Sequence, residues 1–122
     1  MSIWNFQFNN TEPIYLQIIN LVKRNIAIGY LRAGDKLPSV REMASLLEVN
    51  PNTLHRAYSE LEKEGITFTK RGMGSFVSEE VGDFTSLKNE MGEELAIKFL
   101  NDMKDLGITK EETIKIIENL EG

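Results

Sequence analysis

Apolar residues recur every three or four positions in five segments of this 122-residue chain, which is the spacing of amphipathic helices. The first segment begins near residues 11–13 and runs to about Ile28, where Gly29 is placed to end a helix. The apolar stripe predicted to be buried along this first helix consists of Ile14, Ile18, Leu21 and Val22.

Two short helices are predicted next, joined by a tight turn at residues 48–50. Ser39 followed by Glu42 is a capping box, so a helix should begin directly after Ser39. Asn50 can cap a further helix that Pro51 begins. The inward stripes of the two helices are predicted to be Val40, Met43, Ala44 and Leu47, then Leu54, Ala57, Tyr58 and Leu61. This arrangement predicts a helix-turn-helix.

A β-hairpin is predicted after Gly65, which ends the third helix. Residues 66–70 alternate, with Ile66 and Phe68 expected to face inward, and residues 75–77 follow a glycine-containing turn. A helix-turn-helix followed by such a hairpin is a winged helix. The spacing Gly72-x-Gly74 is a weak sign of a nucleotide-phosphate loop, because no helix and no lysine–hydroxyl pair follows it.

The last third of the chain predicts a long helix, a bend at Gly107 and a short helix that a capping box, Thr109 with Glu112, begins. The expected fold is therefore mainly α with a small β-hairpin: a winged helix-turn-helix over 1–79, with an aromatic arm at 1–10, and a helical tail over 80–122. The tail is too small to bury its own stripe, so it packs on the winged helix or, as the stripe's length favours, on a second copy. The residues predicted to dimerise are Leu87, Met91, Leu95, Phe99, Met103, Leu106, Ile114 and Ile117.

Composition narrows the class of protein. The chain has no cysteine and one histidine, so thiolate or histidine-rich metal sites are excluded, and no catalytic triad is available. We therefore expect neither an enzyme nor a bound cofactor. No apolar run approaches the ~20 residues of a membrane span, and the N-terminus lacks the pattern of a secretory signal. A cytoplasmic protein with no membrane partner is expected.

Charge is divided unevenly along the chain. The formal net charge is −5, but residues 1–79 carry nine Lys/Arg against eight Asp/Glu, whereas residues 80–122 carry five against eleven. The acidity thus belongs to the tail. A nearly neutral N-terminal part can still bind DNA if its cations cluster on one face, because DNA responds to the electrostatic potential of that face rather than to the net charge.

Three groups of residues are candidates for such a face. Polar side chains of the third helix (Asn52, Thr53, His55, Arg56) are types that reach base edges and phosphates. Arg41 occupies the first turn of a helix, an unfavourable place for a cation unless an anion lies in front of it. Lys70 and Arg71 lie beside glycines at the predicted wing tip. The alternative is that these side chains are ordinary solvated surface.

Several motifs in one order resemble the GntR family of bacterial transcription regulators: GDKLPSVRE at 34–42, NPNTLHRAY at 50–58, LEKEG at 61–65 and RGMGSFV at 71–77. The resemblance covers residues 11–78 without a gap. It implies a winged helix-turn-helix that contacts DNA. The short tail is similar to that of the YtrA subfamily, where it serves dimerisation and where control of transporter operons is common.

The resemblance also implies individual roles. Ser39 and Arg41 match phosphate- and base-contacting positions at the start of the second helix. Positions matching the recognition helix of the major groove are Asn50, Asn52, Thr53, His55 and Arg56. Arg71 and Gly72 match the wing tip that reaches toward the minor groove. His55 departs in part from the family pattern, so the preferred base pair facing it is expected to differ.

The function expected from these features is that of a homodimeric regulator, a repressor in its simplest form, on a pseudo-palindromic operator of double-stranded DNA. A small-molecule effector is left open. A winged helix that only binds other proteins is the alternative, and an enzyme or a fragment of an enzyme fusion is disfavoured.

Overall fold

A computed structural model describes residues 3–79 and 84–121 of the chain. These residues form five helices and one two-stranded antiparallel sheet, confirming the expected fold class. The elements are α1 (Ile14–Ala27), α2 (Val40–Leu47), α3 (Pro51–Lys63), β1 (Thr67–Lys70), β2 (Gly74–Val77), α4 (Phe84–Asp105) and α5 (Lys110–Asn119). Among the described helices, none combines the length and apolarity that crossing a bilayer requires.

Two compact units divide the chain, Met1–Leu87 and Lys88–Gly122, so α4 continues across the boundary between them. In the first unit, α3 packs against α1, α2 and β1. The predicted stripes of α2 and α3 are buried, except that Val40 is half-buried, as is Ile14 on α1. Residues of the first unit that are entirely shielded from solvent are Ile18, Val22, Ile26, Met43, Leu54, Ala57, Leu61 and Val77.

The β-hairpin turns a different face to the core from the one predicted. Thr67 pairs with Val77, and both are buried, whereas Phe68 pairs with Phe76 on the other face, where the rings stack 5.7 Å apart. Ile66 precedes the strand and is only half-buried. Directly paired residues of two strands point to the same face of the sheet, so the register that pairs Thr67 with Val77 buries both. The prediction that Ile66 and Phe68 face inward was therefore wrong.

The linker before α2 is joined to the sheet by backbone contacts. Lys36 pairs with Phe76, and the Leu37 N–H donates to the Ser75 carbonyl at 2.9 Å. The Gly34 N–H donates to the Val77 carbonyl at 2.8 Å. The base of the wing and the approach to α2 are thus held together by hydrogen bonds.

The N-terminal arm is fastened to α1 by two buried amides. The Gln17 side chain accepts from the Asn9 N–H and donates to the carbonyls of Asn9 and Glu12, while Asn25 donates to the Ile3 carbonyl at 3.2 Å. Both amides are 4% exposed. Their hydrogen-bond partners lie in residues 3–12, so the arm helps to complete the interior of the first unit.

The turn between α2 and α3 contains the non-glycine residue Glu48 in the left-handed conformation, with φ +54°. The Glu48 and Val49 N–H groups donate to the carbonyls of Ser45 and Ala44, a Schellman arrangement that usually has glycine at this position. A side chain there costs about 1–2 kcal/mol. The turn that orients α3 therefore contains local strain.

The second unit has hardly any interior. Within its described part only Thr113 is buried, and its hydroxyl donates to the Thr109 carbonyl at 2.8 Å. Gly107, with φ +77°, follows α4, and the predicted capping box of Thr109 and Glu112 begins α5. The apolar side chains of this helical hairpin lie largely on its surface.

Glu48→Gly should stabilise the protein. Relief of the left-handed strain exceeds the entropic cost of a glycine in the unfolded chain, so we expect about 0.5–1 kcal/mol more stability in chemical denaturation. Ser45→Gly, an exposed position within the right-handed part of the same helix, is the control and should lower stability. Equal losses from both substitutions would show that Glu48 is not strained.

Candidate nucleic-acid interface

Helix α3 presents a polar face opposite its buried stripe. Asn52, His55 and Arg56 are exposed, and Thr53 is half-buried. The Asn50 side-chain oxygen accepts from the Asn52 N–H at 2.8 Å, as predicted for the cap, which leaves the Asn50 amide N–H groups available to donate. Among the hydrogen bonds of residues 3–79 and 84–121, the side chains of this face contribute this cap oxygen alone. The face therefore offers free hydrogen-bond donors and acceptors and a cation.

The start of α2 adds a second group. Ser39 and Glu42 form the predicted capping box, with reciprocal hydrogen bonds of 3.0 and 3.1 Å. Hydrogen bonds from the backbone and side chain of Ser39 lower the pKa of the Glu42 carboxyl, and the Lys36 charge adds to this effect. Arg41 is exposed in the same turn and forms no ion pair with any residue of 3–79 or 84–121. Its charge is available to an anion.

Tyr58 joins these two groups. Its hydroxyl donates to the Pro38 carbonyl at 2.7 Å, so α3 is tied directly to the residue before the α2 cap. Burial, and secondarily the Glu42 charge, raises the pKa of the Tyr58 phenol, so the hydroxyl remains a donor. The bond therefore ties the middle of α3 to the start of α2.

The wing contributes two of the predicted cations, and a third beside it was missed. Lys70 lies over the stacked rings of Phe68 and Phe76, with its ammonium 5.6 and 4.9 Å from their centroids. Lys36 is brought to this same face of the sheet by its pairing with Phe76. Its stem lies so close to Gly74 that a Cβ on that glycine would be 3.2 Å from the lysine Cε.

The wing tip itself is open. Arg71 and Gly72 are exposed, and Gly72 has φ +77° with nothing within 4 Å of where a side chain would begin. Its glycine is thus required by backbone conformation alone. Such a tip leaves room for a backbone to approach another molecule closely.

The cations of the candidate face lie outside the ion pairs found among the described residues. In the described part of the chain the ion pairs are Lys23 with Glu64 and Lys63 with Glu60. The cations of the candidate face remain exposed and outside both pairs; they are Lys36, Arg41, Arg56, Lys70 and Arg71. A chain with net charge −5 therefore still presents unpaired positive charge on α2, α3 and the wing.

Three contributors were missed from the sequence: Lys36, Tyr58 as a hydrogen-bond donor, and Tyr15. The Arg56 guanidinium carbon lies 3.7 Å from the centroid of the Tyr15 ring on α1. These contacts left no sign in the sequence because the partners lie far apart in the chain. Each partner alone looks like an ordinary surface residue or a residue of an apolar stripe. Only Lys36, which lies between the Gly34-Asp35 turn and the Ser39 cap, could have been suspected from the sequence.

The predicted dimerisation residues are mostly on the surface. Leu95, Leu106, Phe99, Ile114 and Ile117 are 43–76% exposed, and Met91 and Met103 are half-buried. Leu87 differs, being 6% exposed within the first unit. Exposed apolar side chains outside the predicted set also occur at Ile97, Ile116 and Leu120.

Comparison with known proteins agrees with this geometry. The family model described as bacterial regulatory proteins, gntR family, matches residues 14–77. The uncharacterized HTH-type transcriptional regulator YhcF of Bacillus subtilis (strain 168) is 46% identical over 112 residues, which cover 92% of this chain and 93% of that protein. The HTH-type transcriptional repressor YtrA of the same strain is 44% identical over 67% of this chain and 68% of its own length.

Among solved structures, a GntR family transcriptional regulator from Listeria monocytogenes superposes with a TM-score of 0.82 at 42% identity. The match covers 93% of this chain and all of that one. The similarity therefore extends beyond the winged helix into the helical tail.

Tyr58→Phe should loosen the link between α3 and the start of α2. The loss of one buried hydrogen bond predicts about 1 kcal/mol less stability in chemical denaturation, because the Pro38 carbonyl is left without its donor. Tyr15→Phe is the matched control and should be nearly neutral, since no hydrogen bond of its hydroxyl occurs among the described contacts. A loss of equal size in both variants would contradict this role.

Proposed function

Because the chain belongs to the GntR family of DNA-binding transcription regulators, we propose that it is a cytoplasmic, homodimeric repressor that binds a pseudo-palindromic operator. The observation that carries the proposal is the set of exposed, unpaired cations on α2, α3 and the wing. Phosphates of double-stranded DNA are the partner that such a surface fits best.

The proposed contacts divide into two kinds. Arg41, Lys36 and Lys70 neutralise phosphates and fix the register of the protein, with Ser39, Arg71 and Gly72 close to the backbone. Side chains on α3 read base edges in the major groove; these are Asn50, Asn52, Thr53, His55 and Arg56. His55 is exposed on the polar face of α3, so we assign it a base contact.

Dimerisation is proposed to occur through the helical tail. The second unit has almost no interior in its described part, and most of its apolar side chains are exposed, so a second copy would supply the missing packing partner. Two copies related by a two-fold axis would present their α3 helices to half-sites about one helical turn apart, ~34 Å. The acidic charge of residues 80–122 suits a unit that faces away from DNA.

We propose repression because the relative YtrA is named a repressor. Its simplest form would be that the bound protein blocks polymerase. An operator upstream of a transporter operon is the first target to examine. We propose no particular effector.

Selection of binding sites from random duplexes with purified protein tests the central claim. We expect an inverted repeat from the wild type, and His55→Ala should relax preference at one position per half-site, at a cost of about 1–3 kcal/mol. Lys63→Ala, at the far end of the same helix, should select the wild-type site. Failure of the wild type to enrich any sequence would favour a protein-interaction module.

The salt dependence of binding tests the phosphate contacts. Arg41→Ala and Lys36→Ala should each lower the slope of log K against log salt by about 0.9 per protomer and weaken operator and random DNA alike. Lys115→Ala, which removes the same charge from α5, should leave the slope unchanged. If all three variants had the same slope as the wild type, a phosphate role for Arg41 and Lys36 would be excluded.

The oligomeric state tests the tail. Met91→Glu combined with Phe99→Glu places two charges on the predicted stripe of α4, so light scattering should show monomers, and operator affinity should fall. Ile97→Glu with Asn101→Glu adds the same charge to the opposite side of α4 and should leave the dimer intact. A dimer in the first variant would refute this interface.

A further inference from the structure

Arg56 is a cation of α3's polar face that another helix holds in place. Its guanidinium carbon lies 3.7 Å from the centroid of the Tyr15 ring, well inside the range of a cation–π contact. Arg56 is nevertheless exposed, and Tyr15 is half-buried near the start of α1. The contact thus covers the ring more than it buries the charge.

The two edges of the α3 face are set by different neighbours. Consecutive helical residues point about 100° apart, so His55 and Arg56 lie toward different sides. His55 lies at the edge of the polar face that borders Tyr58, whose hydroxyl reaches Pro38 before α2. The Arg56 side chain instead contacts the Tyr15 ring on α1.

We propose that Tyr15 is a positioning residue for DNA recognition, which acts by holding the Arg56 guanidinium at the α1 edge of α3 before DNA arrives. This inference rests on the proposed function, since it requires operator binding through α3. The Tyr15 ring restricts a long, flexible side chain to one place while leaving its N–H groups at the rim free to donate. Less rotamer freedom is then lost on binding.

The fold does not depend on this contact. Packing of α1 with α3 is secured by side chains with no exposure, among them Ile18, Val22, Leu54 and Leu61. The far ends of the two helices are joined by the Lys23–Glu64 ion pair at 2.8 Å. A leucine at position 15 therefore keeps the helix and an apolar side chain but removes the aromatic face.

The test is a double-mutant cycle on the selected operator. Tyr15→Leu should weaken operator binding about two- to fivefold, because the Arg56 side chain would then lose its rotamer freedom on binding. Arg56→Ala should weaken it further, and Tyr15→Leu should add nothing in the Arg56→Ala background. Additive losses, or no loss from Tyr15→Leu alone, would overturn the proposal.

Conservative variants separate positioning from stability. Tyr15→Phe keeps the ring and should bind like the wild type; binding as weak as that of Tyr15→Leu would overturn the role of the ring. Thermal unfolding should show every variant folded at the temperature of the binding assay, with a midpoint lowered by a few degrees at most. A loss of affinity that tracks the midpoint across the variants would also overturn the proposal.

A readout without DNA distinguishes this inference from the proposed function. The Arg56 Nε–H proton of the free protein should resonate upfield because of the Tyr15 ring current, and Tyr15→Leu should abolish that shift. If the shift is present but the wild type selects no operator, the proposed function fails while the contact stands. If the wild type selects an operator and the shift is absent, the positioning role alone is refuted.

Discussion

Burial of one face of α3 is the constraint on which the rest of the first unit depends. Leu54, Ala57 and Leu61 are completely shielded, and α3 packs against α1, α2 and β1 at once. A helix anchored on one face must show its other face to solvent, so the polar residues between these anchors are exposed by the same packing. Hydrophobic burial thereby determines which side chains can meet DNA.

Features encoded within a few residues were predictable from the sequence. The caps at Ser39, Asn50 and Thr109 were confirmed because a cap needs only a side chain and backbone groups two or three residues away. The helices followed from their periodicity for the same reason. Local signals were thus sufficient for the elements and for most of the exposed polar residues of the candidate interface.

Features that depend on distant partners were not predictable. The hairpin turned Thr67 inward and Phe68 outward because its register follows its pairing with Val77 on the other strand. The contact of Arg56 with Tyr15 spans two helices, and the pairing of Lys36 with Phe76 spans the whole helix-turn-helix. No periodicity or motif contains such information, because the partners are chosen by packing.

The fastening of residues 3–9 to α1 bears on where an isolated DNA-binding fragment should begin. A fragment starting at Ile14 would keep every helix of the winged helix, yet it would leave the Gln17 and Asn25 amides without their arm partners. It would also lose Phe6 and Phe8, which contact each other edge to face at 5.0 Å. Such a fragment would expose the part of α1 that the arm now covers and should be less stable than one that keeps the arm. An isolated DNA-binding fragment should therefore begin no later than residue 3.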